Sequence, residues 1–132
     1  WKAFLFNRKD RPFDAEQQAG WFGYRDFSRG AQANLAVHFL DLLHHITGVS
    51  LPKRAVTLGG DYRFEDNYTA PDSLETILDY GDFLVRYSSA FGTGNGNYLK
   101  FFGTKATLDA SNWSGKPFAL LREGAEDPVP EG

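Results

Sequence analysis

Asn34, His38, Asp41 and His45 recur at i, i+4, i+7 and i+11 in the stretch Asn34-Leu-Ala-Val-His-Phe-Leu-Asp-Leu-Leu-His-His45. At 3.6 residues per turn their side chains fall within roughly 60° of one another, one narrow polar line on a helix. The chemistry open to such a line is proton transfer: an imidazole titrates near neutral pH, so His38 can take or give a proton. An amide one turn earlier, on Asn34, can hold a hydroxyl-bearing substrate. A metal centre fits less well. His38 and His45 are separated by about 10.5 Å along the axis, too far to share one ion with ligand bonds near 2 Å. Only a pair could ligate, with the remaining ligands from elsewhere, and we expect no metal site.

Three readings of the polar line stay open on the residues alone: a substrate cleft, a buried hydrogen-bond network and a solvated helix face. A solvated face is usually furnished with Lys, Glu and Arg, yet from Ala31 to Pro52 none occurs and Asp41 is the only formally charged residue. Leu35, Val37, Phe39, Leu40, Leu42, Leu43 and Ile46 fill the other directions, which predicts a mostly buried helix.

That helix is expected from about Ala31 to Thr47, with Ser28 near its start, Gly48 as a left-handed C-cap and Pro52 beyond. Before it, Trp1-Lys-Ala-Phe-Leu-Phe6 reads as a short aromatic strand and residues 7–20 as surface loop. After it the apolar period becomes two, predicting strands over residues 54–63, 73–80 and 83–91, with Tyr80-Gly-Asp-Phe83 as a hairpin turn. A second hairpin joins residues 98–104 to 106–110, Asn112-Trp-Ser-Gly115 turns the chain, and residues 117–122 form a last strand. The fold class expected is α+β: an open, largely antiparallel or mixed sheet of about six or seven strands with one long helix packed on one face.

Composition narrows the function classes. The 132 residues, 42% hydrophobic and 16% aromatic, can fill one core but hardly two. A net charge of −3 without a Lys/Arg cluster gives no footprint for nucleic acid or an anionic membrane, and neither partner is expected. With no Cys, disulfides and thiolate chemistry are excluded, which leaves the compartment open, cytoplasmic by default. The longest apolar run is about half of what spans a bilayer, and the start lacks signal-peptide features, so the chain reads as soluble. Gly92-Thr-Gly-Asn-Gly-Asn97 lacks the G-x-G-x-x-G spacing and leads into a strand, so no helix N-terminus awaits a pyrophosphate. The chain also reads as part of a longer one: it lacks an initiator Met, and residues 123–132 have the composition of an acidic, Pro-rich tail or linker.

The run Tyr24-Arg-Asp-Phe-Ser-Arg-Gly30, then Asn34-Leu-Ala-Val-His-Phe-Leu-Asp41, then Gly48, Pro52 and Val56-Thr-Leu-Gly-Gly60, resembles the C-terminal domain of the Gfo/Idh/MocA oxidoreductases. So do Thr69-Ala-Pro-Asp72 and Phe102-Gly-Thr-Lys-Ala-Thr-Leu108. The resemblance covers about residues 1–122. It implies a parent NAD(P)-dependent enzyme acting on a sugar, inositol or similar polyol, with NAD or NADP held by an N-terminal Rossmann domain outside this chain. This chain would then hold no cofactor and be inactive alone. Family members typically carry D-x-x-x-H on the substrate-facing helix. His38 matches the His, which implies a catalytic role, while the Asp position is Asn34, a departure that removes a charge able to raise the His pKa. Asn34, Arg25, Tyr24 and Trp21 are expected to bind substrate, and Asp41 and His45 to support the site from behind. The resemblance also implies homo-oligomers through the sheet face. Leu74, Thr76, Leu78, Tyr80, Phe83, Val85 and Tyr87 would suit an isologous contact. The alternatives are a non-catalytic interaction domain on the same scaffold and part of an NAD-dependent glycosidase.

Overall fold

The computed structural model describes residues 1–30, 32–64, 68–94, 96, 98–111 and 118–124. The chain divides into two compact units, Trp1–Gly92 and Thr93–Gly132. Among the described residues, the first contains the α-helices α1 (Lys2–Leu5), α2 (Ala15–Ala19) and α3 (Val37–Thr47), and the strands β1 (Arg54–Gly60), β2 (Ser73–Asp79) and β3 (Leu84–Ala90). The strands form an antiparallel sheet in the order β1-β2-β3. The second unit holds β4 (Lys100–Phe102), β5 (Ala106–Asp109) and β6 (Ala119–Arg122), an antiparallel sheet in chain order.

The opening residues are a helical turn, not a strand. Trp1 stacks on Phe4 with ring centroids 5.4 Å apart, and Leu5 is buried; Trp1, Phe4 and Leu5 turn inward at i, i+3 and i+4, which only helical backbone allows. Phe27 completes this cluster, 4.9 Å from Phe4, with the Arg8 and Arg11 guanidinia 4.8 and 5.3 Å from its centroid. Nor are residues 7–20 all loop. The Asp14 carboxylate accepts the Gln17 backbone N–H at 2.9 Å, a side-chain cap that starts α2.

α3 ends as its sequence predicts. Gly48 has φ of +73°, and its N–H donates to the His44 carbonyl at 2.8 Å. Its beginning differs from a regular helix: Gln32–Ala36 form a wider π-type turn before Val37.

The predicted β2–β3 hairpin forms, with the Tyr80 N–H donating to the Phe83 carbonyl at 3.1 Å and Leu78 opposite Val85. β2 is the central strand, and Leu74, Thr76, Leu78 and the adjoining Tyr80 are buried. Each such Leu contributes about 1.5–3 kcal/mol by leaving water. This face lies under the helix, because Gln32 donates to Thr76 Oγ1 at 3.1 Å and His44 Nε2 meets Tyr80 Oη at 2.7 Å. Of the residues expected at a subunit interface, Leu74, Thr76, Leu78 and Tyr80 are therefore core, while Phe83, Val85 and Tyr87 are half-buried. The exposed face of the sheet carries Val56, Leu58 and Leu84 instead.

The expected single open sheet of six or seven strands is corrected to two three-stranded sheets. Period-two alternation marks each strand but says nothing about which strands pair. The Asn112–Gly115 turn and the chain after Gly124 lie outside the described residues.

Candidate functional site

The entrance to α3 is held by a compact polar clamp. Gly30 has φ of +73°, and its N–H donates to the buried Ser28 Oγ at 3.0 Å. The Asn34 Nδ2 donates to the same Ser28 Oγ and, at 3.0 Å, to the Gly30 carbonyl. A carbonyl can only accept, so the amide nitrogen must face it. Both donors of Asn34 are thus spent on the chain itself, and its oxygen is what remains for a ligand.

His38 sits in the first turn of α3 with its side chain exposed, and Asp41 and His45 follow on the same exposed strip. The wide turn before Val37 breaks the 3.6-residue register between Asn34 and these three. Single π-type turns inside helices occur often at functional sites. The helix is less buried than its composition predicts: only Leu43 of α3 and Ala36 before it are buried, while Val37 and Ile46 are 50% and 54% exposed. Within this unit a single sheet face covers α3, so the rest of its apolar surface stays open.

The histidine that the polar line passes over, His44, makes the inward contact. Its ring meets Tyr80 edge-on, centroids 5.7 Å apart, in addition to the hydrogen bond. A sequence signal existed, since His44 is one position after Leu43 and points away from the His38–His45 line. Its partner lies 36 residues away and could not be named from spacing.

The other predicted residues separate into two groups. Trp21 is 39% exposed and packs edge-on against Phe22 at 5.7 Å. Tyr24 packs against Tyr68 at 5.7 Å; burial, and then the Asp14 and Glu16 charges, push its hydroxyl above the usual tyrosine range and keep it protonated. Arg25 is held elsewhere. Its backbone N–H donates to Thr69 Oγ1 at 2.8 Å and its Nε–H to the Thr69 carbonyl. Arg25 then lines a cleft of about 130 Å³ with Arg29, Gln32, Ala70, Pro71 and Leu74. Arg29 and Gln32 were not among the residues singled out from sequence, since an exposed Arg and a Gln have no motif of their own.

Beneath this region Asp72, 1% exposed, accepts the backbone N–H groups of Tyr62, Arg63 and Phe64 at 3.1, 2.8 and 2.9 Å. Burial opposes its ionisation, but these bonds and one from Ser73 outweigh it and hold the carboxyl below its ordinary value of 3.8. Its role is to strap the chain after β1 onto the start of β2. Among the described residues, no group of three or more His, Cys, Asp or Glu is placed to hold a metal ion. No helix among them is long and apolar enough to cross a membrane.

Residues 4–109 match the model of the GFO/IDH/MocA C-terminal domain. The chain belongs to this family. An Agrobacterium radiobacter oxidoreductase, solved in complex with NAD+, L-tartaric acid and magnesium, superposes on this GFO/IDH/MocA domain with a TM-score of 0.60 at 15% identity. The match covers 89% of this chain and 34% of that one. The Bacillus subtilis protein yvaA, described as an oxidoreductase, superposes with a TM-score of 0.53 at 18% identity, over 76% of this chain and 35% of its own. Identities this low show the fold alone. The chain spans about a third of the length of both solved relatives. No curated protein matches it.

Proposed function

We propose that this chain, as residues 1–122, is the substrate-binding and oligomerisation domain of an NAD(P)-dependent oxidoreductase acting on a sugar, inositol or similar polyol. The observation that carries the reading is His38: an exposed imidazole at the head of the helix where the family places its proton-transferring His. It is flanked by apolar surface at Leu35, Val37 and Ile46 that an N-terminal Rossmann domain would cover. The Agrobacterium relative, with NAD+ and a hydroxylated acid bound, supports a nicotinamide cofactor and a hydroxylated substrate.

The described residues of this chain do not themselves fit a dinucleotide. Gly92 and Gly96 have positive φ, but the segment runs on to β4 instead of a helix N-terminus. A nicotinamide bound in the Rossmann domain would supply the hydride acceptor. His38 would take the proton of the substrate hydroxyl at a ring nitrogen, Tyr24 would offer a neutral hydroxyl as a hydrogen-bond partner, and the aromatic face of Trp21 would cover the apolar side of the sugar ring. Asp41 and His45, further along the same strip, would tune the charge around His38.

The test is NAD+ or NADP+ reduction by the full-length protein with a panel of polyols. His38→Ala is expected to lower kcat by about 10²–10⁴-fold, with His44→Ala far less affected because His44 is turned to Tyr80. Equal losses would sink the assignment of His38. One observation favours a second reading, a non-catalytic domain on the same scaffold: Asn34 replaces the carboxylate of the family pattern and its donors are committed to the chain. Absence of turnover with every polyol and both cofactors would support that reading.

A further inference from the structure

The cleft at the entrance to α3 concentrates positive charge in a way that the proton-transfer reading leaves unused. Arg25 and Arg29 both line it, together with Gln32 from the first helical turn, and Ala70, Pro71 and Leu74 supply apolar walls. Among the described residues that line it none is acidic, on a chain whose net charge is −3. Among the described residues, the acids next in sequence to the lining residues are already engaged: Asp26 with Arg11 at 2.6 Å, Asp72 with three backbone N–H groups, and Glu75 with Arg86 at 3.1 Å. Arg25 is also preorganised: Thr69 accepts its backbone N–H and its Nε–H, so the side chain is fixed and its two terminal nitrogens stay available. A guanidinium held this way loses little entropy when it meets an oxyanion, which it can grip through two parallel N–H···O bonds. At about 130 Å³, the cleft has room for one such group and a few atoms of what carries it, since a water takes about 30 Å³ of liquid.

We propose that this cleft binds the oxyanion group, carboxylate or phosphate, of an acidic sugar. Arg25 and Arg29 hold the anion, and Gln32 lies against the part of the molecule that bears it.

The experiment is calorimetric titration of the full-length protein, without cofactor, with glucuronate, glucose 6-phosphate, inorganic phosphate and neutral glucose. At least one acidic sugar is expected to bind 10-fold or more tighter than glucose, and the tighter of the two names the anion. Arg29→Gln is expected to weaken that binding by roughly 10- to 100-fold; Arg29→Lys, which keeps the charge but loses the fork, falls between. Melting temperatures of both variants check that the exposed position leaves the fold intact. Glucose binding as tightly as the acids, inorganic phosphate binding as tightly as the sugar phosphate, or an Arg29→Gln affinity equal to the parent would each overturn the proposal. Binding is read without turnover, so failure of the oxidoreductase reading leaves the result standing. If turnover is found, a KM raised by Arg29→Gln for acidic but not neutral polyols makes the bound sugar the substrate; an unchanged KM makes the cleft a separate binding site.

Discussion

Asn34 is the residue at which the family pattern and this fold part company. A carboxylate there would face the Gly30 carbonyl, where the amide nitrogen now donates a hydrogen bond at 3.0 Å, and would lose the bond to Ser28 as well. The left-handed Gly30 that starts the helix needs a donor at this position. Asn34→Asp, which restores the family pattern on paper, is therefore expected to destabilise the protein by about 1–3 kcal/mol and bring no gain in kcat. A lowered urea midpoint, with turnover unchanged or reduced, is the result that checks it; a stable, more active variant would contradict the clamp. The spacing of Asn34 and His38 was legible in sequence because helical neighbours are set by counting. What Asn34 bonds to was not, because it depends on the φ of Gly30 and on a wide turn that counting at 3.6 residues treats as regular. The same limit hid the His44–Tyr80 pair, which joins a helix to a strand 36 residues later.

At the scale of elements, the strands and the main helix were readable because their periods differ, and α3 stopped where Gly48 and Pro52 said it would. Trp1–Phe6 was misread because a six-residue aromatic run carries both periods, and ring packing against Phe13 and Phe27 chose between them. The joint between β1 and β2 was illegible for another reason: Asp72 gives no periodic signal, yet it gathers three consecutive N–H groups. Its folded pKa lies below the ordinary value, so the unfolded chain binds the proton more readily. The stability it confers is present above the unfolded value of 3.8 and is lost as pH falls toward the lower folded one. Asp72→Asn keeps an acceptor oxygen for these donors but cannot ionise. The variant is expected to be less stable at pH 7 by about 1–3 kcal/mol, with a shallower decline than the parent between about pH 5 and pH 2. Thermal melts across that range read the difference, and parallel curves would show that Asp72 does not couple folding to protons.

For the whole molecule, the open question raised by the fold is what covers the outer face of the β1-β2-β3 sheet. Helix α3 takes one face, so an oligomer formed through this sheet must use the other, where Leu58 and Leu84 are 76% and 69% exposed and Val56 is 58% exposed. Val56 and Leu58 on β1 and Leu84 on β3 flank Ile77 of the central strand, with the Arg54–Asp79 and Arg86–Glu75 pairs interleaved between them, a mixed apolar and charged face of the kind that association sites carry. Both signs of charge on one patch also suit an isologous contact, in which each copy presents its acids to the other's bases. Leu58 is the decisive position, since its exposure means the lone chain gains little from it. Leu58→Lys should change the stability of a monomer by no more than about 0.5 kcal/mol, yet it replaces an apolar contact with a charge in a symmetric interface twice over. Sedimentation of the full-length protein at micromolar concentration is expected to show an oligomer for the parent and a shift to monomer for Leu58→Lys, with the far-ultraviolet dichroism unchanged. A parent that sediments as a monomer, or a variant that stays assembled, would mean that this face serves something other than a second copy.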